Sequence, residues 1–179
     1  MLTAAQTLAR TLGLGHTAFI QGDAEALPFA PHTFDLVTCK LAFHYFPHPQ
    51  VALAEMVRVA THAAALVLVD RISPEDPEKR AYQNRLEKLR TPSKTYVYSA
   101  SQLAAALEHM GLIIEQQARY SEQMGVDEWI RAAGPDAQTA HTIRTLLMAD
   151  GDPAGLDVRR EGDRLVMTHQ TTVLVARRR

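Results

Sequence analysis

Apolar side chains recur at Leu2, Ala5, Leu8 and Leu12 and stop at Gly13-Leu14-Gly15, which predicts an opening amphipathic helix closed by glycine. Thr17-Ala18-Phe19-Ile20-Gln21 then reads as a short strand ending at Gly22-Asp23. After the breakers Pro28 and Pro31, Phe34 to Cys39 predicts a second strand with little alternation, the pattern of a strand buried on both faces of a parallel sheet. Pro47 and Pro49 introduce a helix whose apolar stripe is Leu53, Met56, Val57 and Ala60. Ala65 to Asp70 is the strongest strand signal in the chain.

Ser73-Pro74-Glu75-Asp76 supplies an N-cap, a first-turn proline and acids for a helix running to about Leu89, with Tyr82, Leu86 and Leu89 inward. Ser99-Ala100-Ser101-Gln102 is a capping box opening a helix that ends at Gly111. Leu112 to Arg119 predicts a strand, Val126 to about Leu156 helix interrupted at Gly134-Pro135-Asp136, and Arg164 to Ala176 a last strand. Strands alternating with helices imply an α/β fold with a mostly parallel sheet and helices on both faces. Ligands in such folds sit beyond the carboxyl ends of the strands.

Composition narrows the picture. The 179 residues, 46% hydrophobic and 22% charged, suit one packed domain spanning 1–179. Nineteen basic against twenty acidic side chains give a charge of −1, which argues against nucleic acid as partner. The lone Cys39 excludes an internal disulfide and fits a cytoplasmic chain. The longest apolar stretch, Ala63 to Val69, is too short for membrane insertion, and Met1-Leu2-Thr3 lacks a signal-peptide profile.

Candidate chemistry lies just past each strand. Asp23 either makes a turn or accepts a hydrogen bond from the amine of an adenine edge, with the next backbone N–H on a ring nitrogen. Cys39 reads as a buried inert thiol, since no paired base is evident. His44 and His48 stand at i, i+4, but Pro47 and Pro49 prevent the helix that would join them, so no metal site is expected. His44 is either a general base or a packed, hydrogen-bonded ring beside Tyr45, and Asp70 either orients such a base or opens a loop. Tyr82 and Trp129 read as core or pocket wall. A hydrolase built on His44 and Asp70 has no nucleophile-elbow serine to support it.

The order of these segments is more specific than any one of them. Gly22-Asp23-Ala24-Glu25-Ala26-Leu27-Pro28-Phe29, then Phe34-Asp35-Leu36-Val37, Ala42-Phe43-His44-Tyr45-Phe46, Leu53 to Val59 and Leu66 to Asp70 together resemble a class I S-adenosylmethionine-dependent methyltransferase of the ubiquinone/menaquinone-biosynthesis type (methyltransferase type 11 domain). The resemblance implies a Rossmann-like sheet, S-adenosylmethionine as cofactor and a small-molecule methyl acceptor. It implies that Asp23 and Ala24 hold the adenine and that Thr38, Cys39 and Lys40 border the methionine end. His44 and Tyr45 would face the acceptor, with Tyr82, Arg90 and Trp129 shaping its pocket and the segments 75–98 and 125–160 forming its walls or lid.

Two departures stand out. Thr61-His62-Ala63-Ala64 replaces the family's Pro-Gly-Gly turn, and the opening strand with its Gly-x-Gly-x-Gly loop, followed by the strand ending in a ribose-binding acid, has no counterpart. The expectation is that the first two strands, roughly fifty residues of the usual architecture, are missing ahead of Met1. The alternative reading is a non-catalytic, methyltransferase-like scaffold that pairs with another chain, or with its own copy, through exposed strand edges.

Overall fold

The computed structural model describes residues 2–179. In chain order the elements are α1 (Leu2–Thr11), β1 (Phe34–Lys40), a 3-10 turn (Phe43–Tyr45), α2 (Pro49–Val59), β2 (Ala60–Ile72), α3 (Pro77–Arg90), α4 (Ala100–His109), β3 (Leu112–Gly125), α5 (Val126–Ala133), α6 (Ala137–Leu147), β4 (Arg159–Glu161) and β5 (Arg164–Arg178). Among the described residues, no helix is long and apolar enough to cross a membrane.

The α/β class read from the sequence is the one observed, and its sheet is mixed. The order is β1-β2-β5-β3, with β4 pairing onto β5. β1 runs parallel to β2, while β5 lies antiparallel between β2 and β3. The β4–β5 hairpin turns at Gly162, whose φ of 60° suits glycine, and returns the chain into the sheet in the opposite sense. Periodicity marks a strand but carries no sign of its direction, so the mostly parallel pairing expected from alternation gives way to one parallel pair.

Leu66, Leu68, Leu174 and Ala176 on one sheet face bury Leu53 and Met56 of α2 and Leu103 and Leu107 of α4. The opposite face presents Val67, Val69, Val173 and Val175, all half-buried. Helices α3, α5 and α6 gather Leu86, Trp129, Ile130, Ile143 and Leu147 around Met167 near the start of β5. Because β5 is antiparallel, that start lies beside the carboxyl ends of β2 and β3, so the helical cap stands over the end of the sheet where ligands are expected.

Several local expectations shift for identifiable reasons. Thr17 to Gln21 is not a strand, because its backbone finds no partner strand; the nearest pairing is the isolated Asp23–Ala26 bridge. Thr61 to Ala64 extends β2 instead of forming a turn. A bulge absorbs the difference, since Phe34 pairs with Ala60 while Leu36 already pairs with Ala65. β3 continues past Arg119 to Gly125 along β5. The helix after Gly134 ends at Leu147 rather than near Leu156, where the Asp152 carboxylate accepts the Leu156 N–H at 2.9 Å in an irregular segment. The N-cap of α3 is Asp76, whose carboxylate accepts from the N–H groups of Glu78 and Lys79, with Pro77 at the first helical position. Ser73 instead donates to the Val97 carbonyl at 2.8 Å.

Replacing Asp76 with Ala therefore costs about 1 kcal/mol in urea unfolding, typical of a lost N-cap. A value indistinguishable from zero would mean that the α3 terminus is held by something other than its cap.

Candidate functional site

Two cavities lie against the first strands, one along β1 and one past its carboxyl end. A cavity of about 390 Å³ is lined by Ala24, Leu27 and Phe29 of the loop before β1, by β1 from Phe34 to Lys40, and by Met56 and Val59 of α2. It thus brings together four residues singled out in the sequence: Ala24, Thr38, Cys39 and Lys40. Asp23 stands beside it, exposed.

The loop carrying Asp23 and Ala24 is irregular, so its position depends on side chains that reach it from α2. Glu55 accepts the Leu27 N–H at 2.7 Å, and Arg58 donates to the Phe29 and Leu27 carbonyls at 2.8 and 3.0 Å. Glu55 and Arg58 also pair with each other at 2.6 Å. The guanidinium bond, helped by the Leu27 N–H, pulls the Glu55 carboxyl down to about 2 although burial opposes it. Further back, Glu25 accepts from the His48 backbone and faces its ring Nδ1, both at 2.8 Å.

Within the loop, Asp23 Oδ1 accepts the Glu25 N–H at 2.9 Å, the turn function weighed in the sequence. Oδ2 of Asp23 and the N–H of Ala24 have no hydrogen-bond partner among the described residues. One free acceptor and one free donor on neighbouring residues, at the mouth of an apolar cavity, match the amine and ring nitrogen of an adenine edge. Cys39 is buried, and its thiol is pushed up to about 11 by burial and by the Asp70 carboxylate, which makes it a wall and not a nucleophile.

The second cavity, about 340 Å³, is lined by Leu41, His44, Tyr45, Arg71, Arg90, Lys94, Met124, Glu128, Trp129 and Ala132. Leu41 separates the two cavities in a left-handed conformation, φ 52°, anchored by its N–H on the Val69 carbonyl at 2.8 Å. His44 belongs to the 3-10 turn and is fixed from both sides. Its Nδ1 lies 2.6 Å from Asp70 Oδ1, and its N–H donates to Oδ2 at 3.1 Å. On the other side its carbonyl accepts from the Thr95 N–H and hydroxyl, both at 2.9 Å. Tyr45 leans on the imidazole at 4.4 Å between centroids. Arg90 lays its guanidinium 4.4 Å from the Trp129 ring centre and donates from Nε to the Trp129 carbonyl at 2.8 Å.

His44, Tyr45, Arg90 and Trp129 are therefore brought together as the sequence suggested. Tyr82 is not among them; its hydroxyl donates to the Leu146 carbonyl at 2.9 Å and ties α3 to α6. Sequence reading missed Arg71 and Lys94. A lysine 5% exposed, held at 2.7 Å by the buried Glu87, has no signature in a one-dimensional pattern.

Residues 1–68 match the family described as a methyltransferase domain. The chain is 32% identical over 154 residues to the uncharacterized methyltransferase YcgJ of Bacillus subtilis, covering 86% of this chain and 61% of that protein. It is 28% identical over 125 residues to the demethylmenaquinone methyltransferase of Clavibacter sepedonicus, 70% of this chain and 49% of that one. The chain thus spans about half to three-fifths of the length of these relatives. The crystal structure of YcgJ superposes with a TM-score of 0.91 at 28% identity, over all of this chain and 79% of that one. A putative methyltransferase from Bacillus halodurans shares the fold, with a TM-score of 0.85 at 22% identity over 95% of this chain and 85% of that one.

The depressed Glu55 carboxyl makes the loop clamp sensitive to acid. A carboxylate lowered on folding stabilises above its ordinary value, 4.5, and that contribution is lost as pH falls towards 2. Amide exchange at Leu27 should be protected at pH 5 and lose protection between pH 4 and 2, with Glu55→Ala already unprotected at pH 5. Protection unchanged by the substitution would show that Glu55 is not what holds the Leu27 N–H.

Proposed function

We propose that the chain is a class I S-adenosylmethionine-dependent methyltransferase and that it forms the adenine-facing and acceptor-facing walls of a cytoplasmic methyl-transfer site for a small-molecule acceptor. The observation that carries this reading is the free pair at the mouth of the larger cavity, Oδ2 of Asp23 and the Ala24 N–H. When bound, S-adenosylmethionine supplies a methyl group on a sulfonium, which is already a good leaving group.

The work left to the protein is to position and to exclude water. Asp23 and Ala24 take the adenine edge, and the loop is kept in place by Glu55 and Arg58. Thr38, Cys39 and Lys40 border the methionine end, where the apolar walls Leu27, Phe29 and Met56 continue the cavity. His44, Tyr45, Arg90 and Trp129 receive the acceptor in the neighbouring cavity, and Tyr82 braces the cap above it.

A second reading is favoured by one feature: Leu36 is 57% exposed on β1, an edge strand with no partner on its outer side among the described residues. Such an edge invites a strand from another chain or another copy. Light scattering that finds a dimer growing with concentration supports this reading, and a monomer at all concentrations removes it.

For the principal reading, calorimetric titration of the full chain with S-adenosylmethionine is expected to give measurable binding, weakened about fivefold to tenfold by Asp23→Ala, the loss of one amine hydrogen bond. Absence of binding, or equal binding by the variant, would sink the adenine assignment.

A further inference from the structure

The smaller cavity carries more than positioning groups. Three cations line it, Arg71, Arg90 and Lys94, against one lining carboxylate, Glu128. Behind them, Lys94 is paired with Glu87 at 2.7 Å and Arg71 with Glu122 at 3.2 Å. Arg90 reaches only the same Glu87 oxygen, at 3.7 Å, and its Nη2 has no hydrogen-bond partner among the described residues. His169, 1% exposed and with its ring 5.7 Å from Trp129, leaves Nε2 without a partner. Burial, and after it the charges of Arg71, Lys94 and Arg90, pushes that imidazole down to about 3. Asp70 occupies Nδ1 of His44, which also lines the cavity, and this leaves Nε2 as the ring nitrogen with no protein partner among the described residues.

We propose that this cavity takes a hydroxy acid, its anionic group against Arg90 with Arg71 and Lys94 nearby, and its hydroxyl donating to Nε2 of His44. A protonated amine is disfavoured by the same three cations. Binding of the hydroxy acid stands independently of the methyl-transfer reading, and only the chemical step rests on it. In that step the acceptor O–H breaks, its oxygen bonds to the methyl carbon, and the electron pair of the carbon–sulfur bond leaves with the sulfur. The proton passes to Nε2 of His44, giving an imidazolium held against the Asp70 carboxylate.

Trp129 is the only tryptophan and lines this cavity, so its emission serves as a probe of binding there. The full chain is titrated with 3-hydroxybenzoate, 3-hydroxybenzamide and benzoate, followed by Trp129 emission and by calorimetry. The acid should bind about tenfold or more tighter than the amide, and Arg90→Gln should erase that preference. Removing the hydroxyl, as in benzoate, should weaken binding several-fold in the unaltered chain and have no effect in His44→Asn, which keeps a donor towards Asp70 but has no Nε2. The comparisons among the three probes on the unaltered chain stand even if a variant folds poorly. Equal affinity for acid and amide, or for 3-hydroxybenzoate and benzoate, overturns the assignment whatever the cofactor does. Both preferences in a chain that leaves S-adenosylmethionine unconsumed support the assignment and count against the methyl-transfer reading instead.

Discussion

A carboxylate 1% exposed to solvent, Asp70, holds the turn that follows β1 and with it two residues that line the smaller cavity, His44 and Arg71. Asp70 accepts the His44 ring at 2.6 Å, the His44 N–H at 3.1 Å and the Arg71 N–H at 2.8 Å. Three donors on one buried carboxylate offset a desolvation cost that an unpaired charge could not bear. The consequence is spatial. β2 is the strand that β1 runs beside, and through Asp70 its carboxyl end fixes the 3-10 turn that comes after β1, which puts Cys39 and Lys40 on one side and His44 and Tyr45 on the other. Removing one member of such a buried pair commonly costs about 3 to 5 kcal/mol because the other is left buried without a partner, so the two residues are held together and the turn with them.

Around that fixed point the chain uses two kinds of support. At the larger cavity an irregular loop is tied down by Glu55 and Arg58, both partly exposed, and the walls are mostly aliphatic or aromatic. At the smaller cavity the support is a buried ionic group, Glu87 with Lys94 and Arg90, packed beneath a tryptophan. The first arrangement suits a flat ring recognised along one edge, the second a charged ligand drawn out of water. Leu41, in the left-handed region between them, marks the place where the backbone must turn from one cavity into the other.

Much of this was legible in the sequence because it depends on local rules. The apolar run from Ala65 to Asp70, the capping box at Ser99 and Gln102, and the Gly134 break between two helices all sit where periodicity and capping put them. Asp76 rather than Ser73 caps α3 because Pro77 stands at the first helical position, a choice between two adequate caps that sequence alone does not make. The antiparallel entry of β5 was not legible, since strand direction comes from a hairpin whose partner is fixed by tertiary pairing. The site divided in the same way. Motif order found Ala24, Thr38, His44 and Trp129, whereas Arg71, Lys94 and His169 come together only through the antiparallel strand and the helical cap. Tyr82 has the right spacing for a pocket wall, but its hydroxyl is spent on the Leu146 carbonyl.

If the ends of β1 and β2 separate a cofactor cavity from an acceptor cavity, a nucleoside-bearing ligand should perturb one and leave the other alone. An amide-resolved NMR titration of the chain with S-adenosylhomocysteine reads this out residue by residue. Shifts are expected to concentrate at Asp23, Ala24 and Thr38 to Leu41, with the Trp129 indole and the amides of α5 left in place. Shifts centred on Trp129 and Arg90, with the loop before β1 silent, would contradict the division into two cavities.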